Sequence, residues 1–262
     1  IDYVNGAKAG EVLRNGIIND RRNYPDLDKE LLLEENGASG ETFVTTGYHA
    51  IEFLLWGQDV SDTGPGARSF NDYVAGQATS DPDADRRRQY LKLVTDLLVE
   101  DLEYTRAQWN DGEPYVRAFL ANARDRSLQN IITGITYLTK DELAEERIRP
   151  ASETQDQEDE HSCFSDTTDQ DMKFDLVGIE NVYFGRYNKD DGKGLEDLVL
   201  AANPDLDRQI KQQLESASKA IAAIPTPFDQ AIKNDGRKLR DAIRALDDLN
   251  SSLAKIPETL NL

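Results

Sequence analysis

The fold class follows from one stretch, Asp85–Trp109, which reads DRRRQYLKLVTDLLVEDLEYTRAQW. Its apolar positions recur every three or four residues, which is the spacing of one face of an α-helix. A helix with such a stripe needs neighbouring elements to cover it. The stretch therefore predicts a long amphipathic helix, buried through Leu91, Val94, Leu98, Leu102 and Thr105.

The same spacing recurs in three segments further along the chain. The first covers residues 126–148, the second follows Asn203-Pro204, which is typical of a helix cap with proline in the first turn, and the third lies near the C-terminus. Pro225 and Pro227 end the second segment. No segment alternates as a strand would, so we predict an all-α fold. The three stripes are Leu128, Ile131, Ile132, Ile135 and Leu138; Leu206, Ile210, Leu214, Ala217, Ile221 and Ile224; and Leu239, Ile243, Leu246 and Leu253.

Two helical bundles packed together are predicted, with their boundary at an unusual segment. Residues 150–170 are strongly acidic and polar, yet they include a histidine, a cysteine and a phenylalanine. A shift in composition of this kind is typical of a domain boundary. We therefore predict an N-terminal helical bundle over residues 1–149 and a C-terminal helical bundle over residues 150–262.

The charge of the chain excludes some functions. Its 262 residues include 30 Lys and Arg against 50 Asp and Glu, which gives a net charge of −20. Nucleic-acid binding normally needs a basic patch, so no nucleic-acid partner is expected. An acidic surface attracts cations, without selecting one of them.

Membrane and targeting segments are not evident. No apolar run approaches the roughly 18 residues of a spanning helix, so no transmembrane segment is predicted. The chain begins with Ile1 rather than Met, without the basic start and apolar stretch of a signal peptide. We expect a signal segment to be absent from this chain, as in a processed or truncated protein.

Both histidines of the chain stand three residues from a glutamate. These pairs are His49 with Glu52, and Glu158 with His161. Residues three apart on a helix share a face, so each pair could offer one nitrogen and one oxygen to a single metal ion. Iron, zinc, copper and manganese accept such mixed ligands, whereas calcium sites use oxygen alone.

A structural role is the alternative for each pair. The segment Tyr48–Trp56 is apolar around most of a helix and should be buried. An ionised Glu52 is costly there unless it pairs with His49 or an arginine, or binds a metal. His161 could be a solvated residue in a mobile acidic loop over residues 151–170, which the composition favours.

Two segments resemble the imelysin family, and within it the iron-regulated protein A type. Residues 47–59, GYHAIEFLLWGQD, closely resemble its Gly-x-His-x-x-Glu motif. Residues 158–167, EDEHSCFSDT, followed by GIENVY at 178–183, resemble a second region of that family. The resemblance covers most of the chain.

The resemblance implies an all-helical, two-bundle protein of the bacterial periplasm or cell envelope that takes part in iron acquisition. Members usually have about a hundred more residues before the point that matches Ile1, so the N-terminal bundle is expected to lack its first helices. Some members carry a metallopeptidase label. Against that activity, the chain has no HExxH motif, whose two histidines and glutamate base serve zinc proteases.

Our leading hypothesis is a metal-binding protein with His49 and Glu52 as ligands. Glu160, His161 and Asp166 of the second motif would line the same cleft if the bundles face each other, so we predict that His161 lies close to His49. The expected cofactor is a metal ion, iron first, with zinc, another divalent ion and haem left open. An envelope iron-transport component is the expected protein partner. A metallopeptidase that uses the same pair and a scaffold without an ion are the rival hypotheses.

Overall fold

The structure, a computed structural model, describes residues 16–38, 44–61, 63–74, 76, 82–122 and 126–262. Ile1, on which the expectation about a signal segment rests, lies outside these residues. The chain divides into two compact units, unit 1 over Ile1–Glu113 and unit 2 over Pro114–Leu262. Nearly all regular structure in the described residues is helical, which confirms the all-α prediction.

Unit 1 contains three described α-helices. They are α1 (Lys29–Glu35), α2 (Tyr48–Trp56) and α3 (Ala84–Gln108), with a 3-10 turn at Phe70–Tyr73. Asp28 caps α1, since its side chain accepts a hydrogen bond from the backbone N–H of Leu31 at 2.9 Å. The buried core of unit 1 consists of Ile17, Ile18, Leu27, Leu32, Leu54, Tyr90 and Val94.

The buried stripe of α3 is shorter than the sequence predicts. Val94 and Leu97 are buried and Leu98 is half-buried, but Leu102 is 50% exposed. The prediction for Leu102 and Thr105 is therefore wrong within the described residues. The two residues that α3 contributes to the core of unit 1, Tyr90 and Val94, both lie in the N-terminal half of the helix.

A buried arginine fastens the start of α3 to the chain before α1. The Arg86 guanidinium donates hydrogen bonds to four backbone carbonyls, those of Ile17 (2.9 Å), Ile18 (2.9 Å), Tyr24 (2.7 Å) and Pro25 (3.1 Å). Burial lowers the pKa of Arg86 from its ordinary value. These four carbonyls thus accept hydrogen bonds from one side chain instead of from the backbone of a helix or sheet.

The described residues of unit 2 form nine α-helices, a π-helix, a 3-10 turn and a small hairpin. Helix α5 runs directly into the π-helix and then into α6. The hairpin joins α7 to α8. The elements are α4 (Pro114–Ala121), α5 (Leu128–Tyr137), the π-helix (Leu138–Ile148), α6 (Arg149–Thr154), α7 (Thr168–Phe184), β1 (Arg186–Tyr187), β2 (Asp190–Asp191), α8 (Leu195–Ala202), α9 (Pro204–Ala222), α10 (Phe228–Asn234), α11 (Gly236–Leu253) and α12 (Ile256–Leu260).

The predicted stripes of unit 2 form its core. The five stripe positions within α9, Ile224 just after it, and all four positions of the α11 stripe are buried. Helices α9 and α11 pack on each other. Asn203 caps α9 by accepting a hydrogen bond from the N–H of Leu206 at 3.1 Å, as its sequence predicts. Two residues of the stripe in 126–148, Ile132 and Ile135, are fully buried, whereas Leu128, Ile131 and Leu138 are partly buried.

The division between the units lies earlier than the boundary near residue 150 expected from composition. The π-helix and α6 follow each other without a break across residue 150. The π-helix packs on α7 and α11, and α5 also contacts α11. These contacts place residues 128–149 with the C-terminal helices.

A short two-stranded hairpin joins α7 to α8, although no strand is predicted from the sequence. Arg186 pairs with Asp191 and Tyr187 with Asp190. Gly185, at φ 70°, ends α7, and Gly194 precedes α8. The two glycine backbones lie so close together that a Cβ on Gly194 would be 2.4 Å from the Gly185 nitrogen.

Unit 2 also contains a buried polar group of side chains. The Tyr183 hydroxyl donates to Asp207 at 3.0 Å, and Lys211 lies 2.9 Å from the same carboxylate and also contacts Glu196. These contacts tie α7, α8 and α9 together.

Among the described residues, no helix combines the length and the apolar character needed to cross a bilayer.

Candidate metal centre

His49 and Glu52 are in direct contact on α2. The His49 Nδ1 lies 2.7 Å from the Glu52 Oε2. The side chain of Glu52 is only 10% exposed, whereas that of His49 is 40% exposed. The pair thus places a buried carboxylate behind an imidazole ring that reaches the surface of unit 1.

The chain before α2 is held by hydrogen bonds to its backbone. Gly47 starts the helix at φ 85°, a backbone conformation that favours glycine. The Tyr90 hydroxyl donates to the Thr45 carbonyl at 2.8 Å, and the Thr45 hydroxyl donates to the Leu32 carbonyl at 2.8 Å. The segment that leads into α2 is therefore tied to α3 and α1.

The C-terminal end of α2 is held as firmly. The Tyr73 hydroxyl donates to the Leu54 carbonyl, and the Arg68 N–H donates to the Trp56 carbonyl at 2.8 Å. The Arg68 guanidinium also lies 5.3 Å from the centre of the Phe53 ring, a cation–π contact. Carbonyls that a helix end leaves without a helical partner are thus satisfied.

The contact between His49 and Glu52 fixes the orientation of the imidazole. A carboxylate at Nδ1 holds the ring and directs Nε2 away from it, as carboxylates do behind metal-binding histidines. Nitrogen and carboxylate donors fit iron or zinc. The same contact also occurs in a structural His–Glu pair, which is the alternative drawn from the sequence.

The second motif folds into turns before α7. The 3-10 turn Gln157–Asp159 leads into Glu160, which is buried, and His161, whose side chain is 30% exposed. Asp166 has a φ of 54°, in the left-handed region. Within this segment the side chains of Glu160, Ser162 and Ser165 are buried.

His161 repeats the arrangement of His49 with a different carboxylate. Its Nδ1 lies 2.9 Å from the Asp171 Oδ2, and the Ser162 hydroxyl donates to the same oxygen at 2.5 Å. The Ser162 N–H in turn donates to the Thr168 hydroxyl at 3.1 Å. The His161 ring is therefore oriented from the first turn of α7, and Glu158, three residues before it, is not the partner in this contact.

Further charged residues that sequence reasoning missed lie beside Asp171. Asp175, one turn further along α7, is 2.9 Å from the Arg147 Nε, and Arg147 also pairs with Glu142 at 2.6 Å. Burial raises the pKa of Asp175, and the charge of Arg147 opposes that shift. The sequence feature that could have identified this group is the four-residue spacing of Asp171 and Asp175, which places both side chains on one face of a helix.

The candidate ligands do not form a complete ligand set within the described ranges. No three His, Cys, Asp or Glu side chains there are grouped so as to hold a metal ion. His49 and Glu52 belong to unit 1, while Glu160, His161 and Asp166 belong to unit 2. The closeness of His161 to His49 stays a prediction.

The chain belongs to the imelysin family, whose sequence model matches residues 2–254. It is 25% identical over 224 residues to the curated iron-regulated protein A of Synechococcus elongatus, covering 82% of this chain. The chain spans only 56% of the length of that relative. The resemblance seen in the two motifs is thus confirmed.

A solved structure supports the same fold. A crystal structure of an iron-regulated protein A precursor from Parabacteroides distasonis matches with a TM-score of 0.66 and 19% identity, over 90% of this chain and 73% of that chain. An imelysin peptidase from Bacteroides ovatus matches more weakly, with a TM-score of 0.47 and 22% identity over 56% of this chain and 45% of that one. The first of these likenesses shows the fold.

Proposed function

We propose that this chain is a metal-binding protein of the bacterial cell envelope that takes part in iron acquisition. In this proposal His49 binds iron or a related divalent ion through Nε2. Glu52, which the sequence suggests as a second ligand, instead holds the imidazole ring from behind through its contact with Nδ1. The observation that carries the proposal is the 2.7 Å contact between His49 and the buried Glu52. The bound ion would supply a positive charge at the imidazole. Ions of this kind accept nitrogen and oxygen ligands.

Three features support a metal role over a purely structural pair. The imidazole is partly exposed, so an ion can reach it. The net charge of −20 concentrates cations around the protein. The curated relative is an iron-regulated protein, which makes iron the first ion to test, ahead of zinc and haem. An envelope iron-transport component would then be the partner that delivers or receives the ion.

Elemental analysis of protein purified without chelator tests this function, followed by titration with Fe(II) and Zn(II). His49→Ala is expected to weaken binding by about 100-fold or more, because it removes the nitrogen ligand. Glu52→Gln is expected to weaken it by about 10- to 100-fold, because the ring loses the carboxylate that holds it. Both variants should keep the helical circular dichroism spectrum.

A matched control separates a site effect from a change of surface charge. Glu30 is an exposed carboxylate on α1, and Glu30→Gln should bind the ion like the parent. If His49→Ala binds Fe(II) and Zn(II) as tightly as the parent, the ligand site is elsewhere. If the parent takes up neither ion nor haem, the scaffold hypothesis replaces the proposal.

A metallopeptidase is the second candidate, favoured by the peptidase name that the family carries. Cleavage of a denatured protein substrate that a chelator and Glu52→Gln both abolish would establish it. Stoichiometric binding without turnover would support the metal-binding role. Because peptidase activity and metal binding are measured separately, the two functions can be distinguished.

The second motif provides a further prediction. If Glu160, His161 and Asp166 serve the same ion as His49, then His161→Ala should weaken Fe(II) binding by about tenfold or more. The double variant His49→Ala, His161→Ala should then lose less than the sum of the two single effects. Equal binding by His161→Ala and the parent would show that the second motif has another role.

A further inference from the structure

A groove lies on unit 2 between α7 and the C-terminal end of α9, and it has no part in the candidate metal centre. Its volume is about 310 Å³. Three of its lining residues, Leu176, Ile221 and Ile224, are buried side chains of the core, so they give it an apolar floor. Concave, mostly apolar sites of this size are typical for small organic ligands.

One carboxylate lies in this apolar surrounding. Glu180 lines the groove and is half-buried. Among the residues that the structure describes, none forms a hydrogen bond or ion pair with its side chain. Burial raises the pKa of Glu180. A partly desolvated carboxylate that forms no hydrogen bond or ion pair with a described residue gains from a cation that reaches it.

The groove is separate from the His161 network. Glu180 and Asp171 are nine positions apart on α7 (180 − 171 = 9), which places them about half a turn apart around the helix axis. Asp171 and Asp175 therefore face His161 and Arg147 from one side, while Glu180 faces the groove from the other. A ligand at Glu180 would not need the candidate metal ligands.

We propose that this groove binds a small amphiphilic amine, with the ammonium group at Glu180 and the apolar part on the floor of Leu176, Ile221 and Ile224. The exposed Ser218 hydroxyl on α9 also lines the groove and can accept a hydrogen bond from the ammonium. The volume suits a ring or a short alkyl chain rather than a folded partner. The acidic charge of the protein favours such a cation.

Phenethylamine is the probe for this proposal, and 2-phenylethanol is its neutral counterpart. We expect saturable binding of the amine, followed through the methyl signals of Ile221 and Ile224 in NMR spectra. Glu180→Gln, which keeps the shape of the side chain, should weaken binding by about tenfold or more, because the ammonium then meets a neutral amide oxygen instead of a charged carboxylate. Ala222→Phe, at the groove, should weaken it by blocking access.

The controls separate charge recognition from unspecific apolar binding. Glu258, an exposed carboxylate on α12, provides the matched variant, and Glu258→Gln should bind like the parent. Equal affinity for phenethylamine and 2-phenylethanol, or unchanged amine binding by Glu180→Gln, would overturn the proposal. So would the absence of saturable amine binding. Fe(II) binding should be the same in Glu180→Gln and the parent, so the groove and the metal function are tested independently.

The pH dependence provides a second readout. Because burial raises the pKa of Glu180, its carboxyl keeps its proton to a higher pH than an exposed glutamate does. Amine affinity should therefore rise as the pH is raised through that pKa, and this rise should be missing in Glu180→Gln. The other charged groups that line the groove are Asp169 and Lys173 on α7, and the residues from α9 are uncharged. If the amine affinity of Glu180→Gln still rises with pH, the rise comes from Asp169 or Lys173 instead.

Discussion

Arg86→Met is expected to destabilise unit 1 by about 3 kcal/mol or more. Methionine fills a similar volume but donates no hydrogen bonds, so the carbonyls of Ile17, Ile18, Tyr24 and Pro25 lose their partner in one step. Each buried carbonyl without a partner costs about 1–3 kcal/mol, reduced where water can reach it. The turn that these carbonyls belong to should also come away from α3.

Urea unfolding followed by tryptophan fluorescence measures this effect. Both tryptophans of the chain, Trp56 and Trp109, belong to unit 1, so their emission reports that unit. Arg88→Met is the matched control, because Arg88 stands on the same helix but its side chain is 45% exposed. We expect it to cost less than about 1 kcal/mol. An equal loss in the two variants would contradict the role of Arg86.

Gly194→Ala is expected to destabilise unit 2 by about 2–3 kcal/mol. The added methyl group would lie 2.4 Å from the Gly185 nitrogen and the Tyr183 carbonyl oxygen, both backbone atoms that cannot rotate away. Relief requires the end of α7 and the start of α8 to separate, which costs packing energy. Thermal unfolding followed by circular dichroism should show a lower midpoint.

Gly178→Ala is the matched control for that variant. Gly178 lies within α7, and a Cβ there would meet no atom within 4 Å. Alanine is the better helix former, so this variant should be unchanged or more stable by about 0.5–1 kcal/mol. If both variants shift the midpoint in the same direction, close backbone approach is not the cause.

The helices were predictable because their apolar spacing survives in the packed structure. The α9 stripe from Leu206 to Ile224 is buried at every predicted position. The α3 stripe fails at Leu102, since periodicity identifies a face but not how far along it other elements pack. Arg86 was not predictable either, because three consecutive arginines indicate a solvated surface until the carbonyls of a distant turn are placed beside one of them.

The candidate site was predictable only where its partners are local in sequence. His49 and Glu52 are three residues apart on one helix, so helical geometry alone brings them together. His161 could not be matched to Asp171 in this way, since the turns between Glu160 and Thr168 decide which carboxylate reaches the ring. Glu180 belongs to the GIENVY segment at 178–183, but its position in a groove could not be predicted, because its burial depends on the packing of α9 against α7.

Each unit contains a single imidazole, and each imidazole meets a carboxylate through Nδ1. A neutral ring held in this way carries its proton on Nδ1, so both rings should show the same tautomer in ¹⁵N spectra. The chain therefore contains two magnetic-resonance reporters, one in each unit, without any added label. A paramagnetic ion at His49 would broaden the signals of that ring first, and the response of the His161 ring would then measure its distance from the ion in solution.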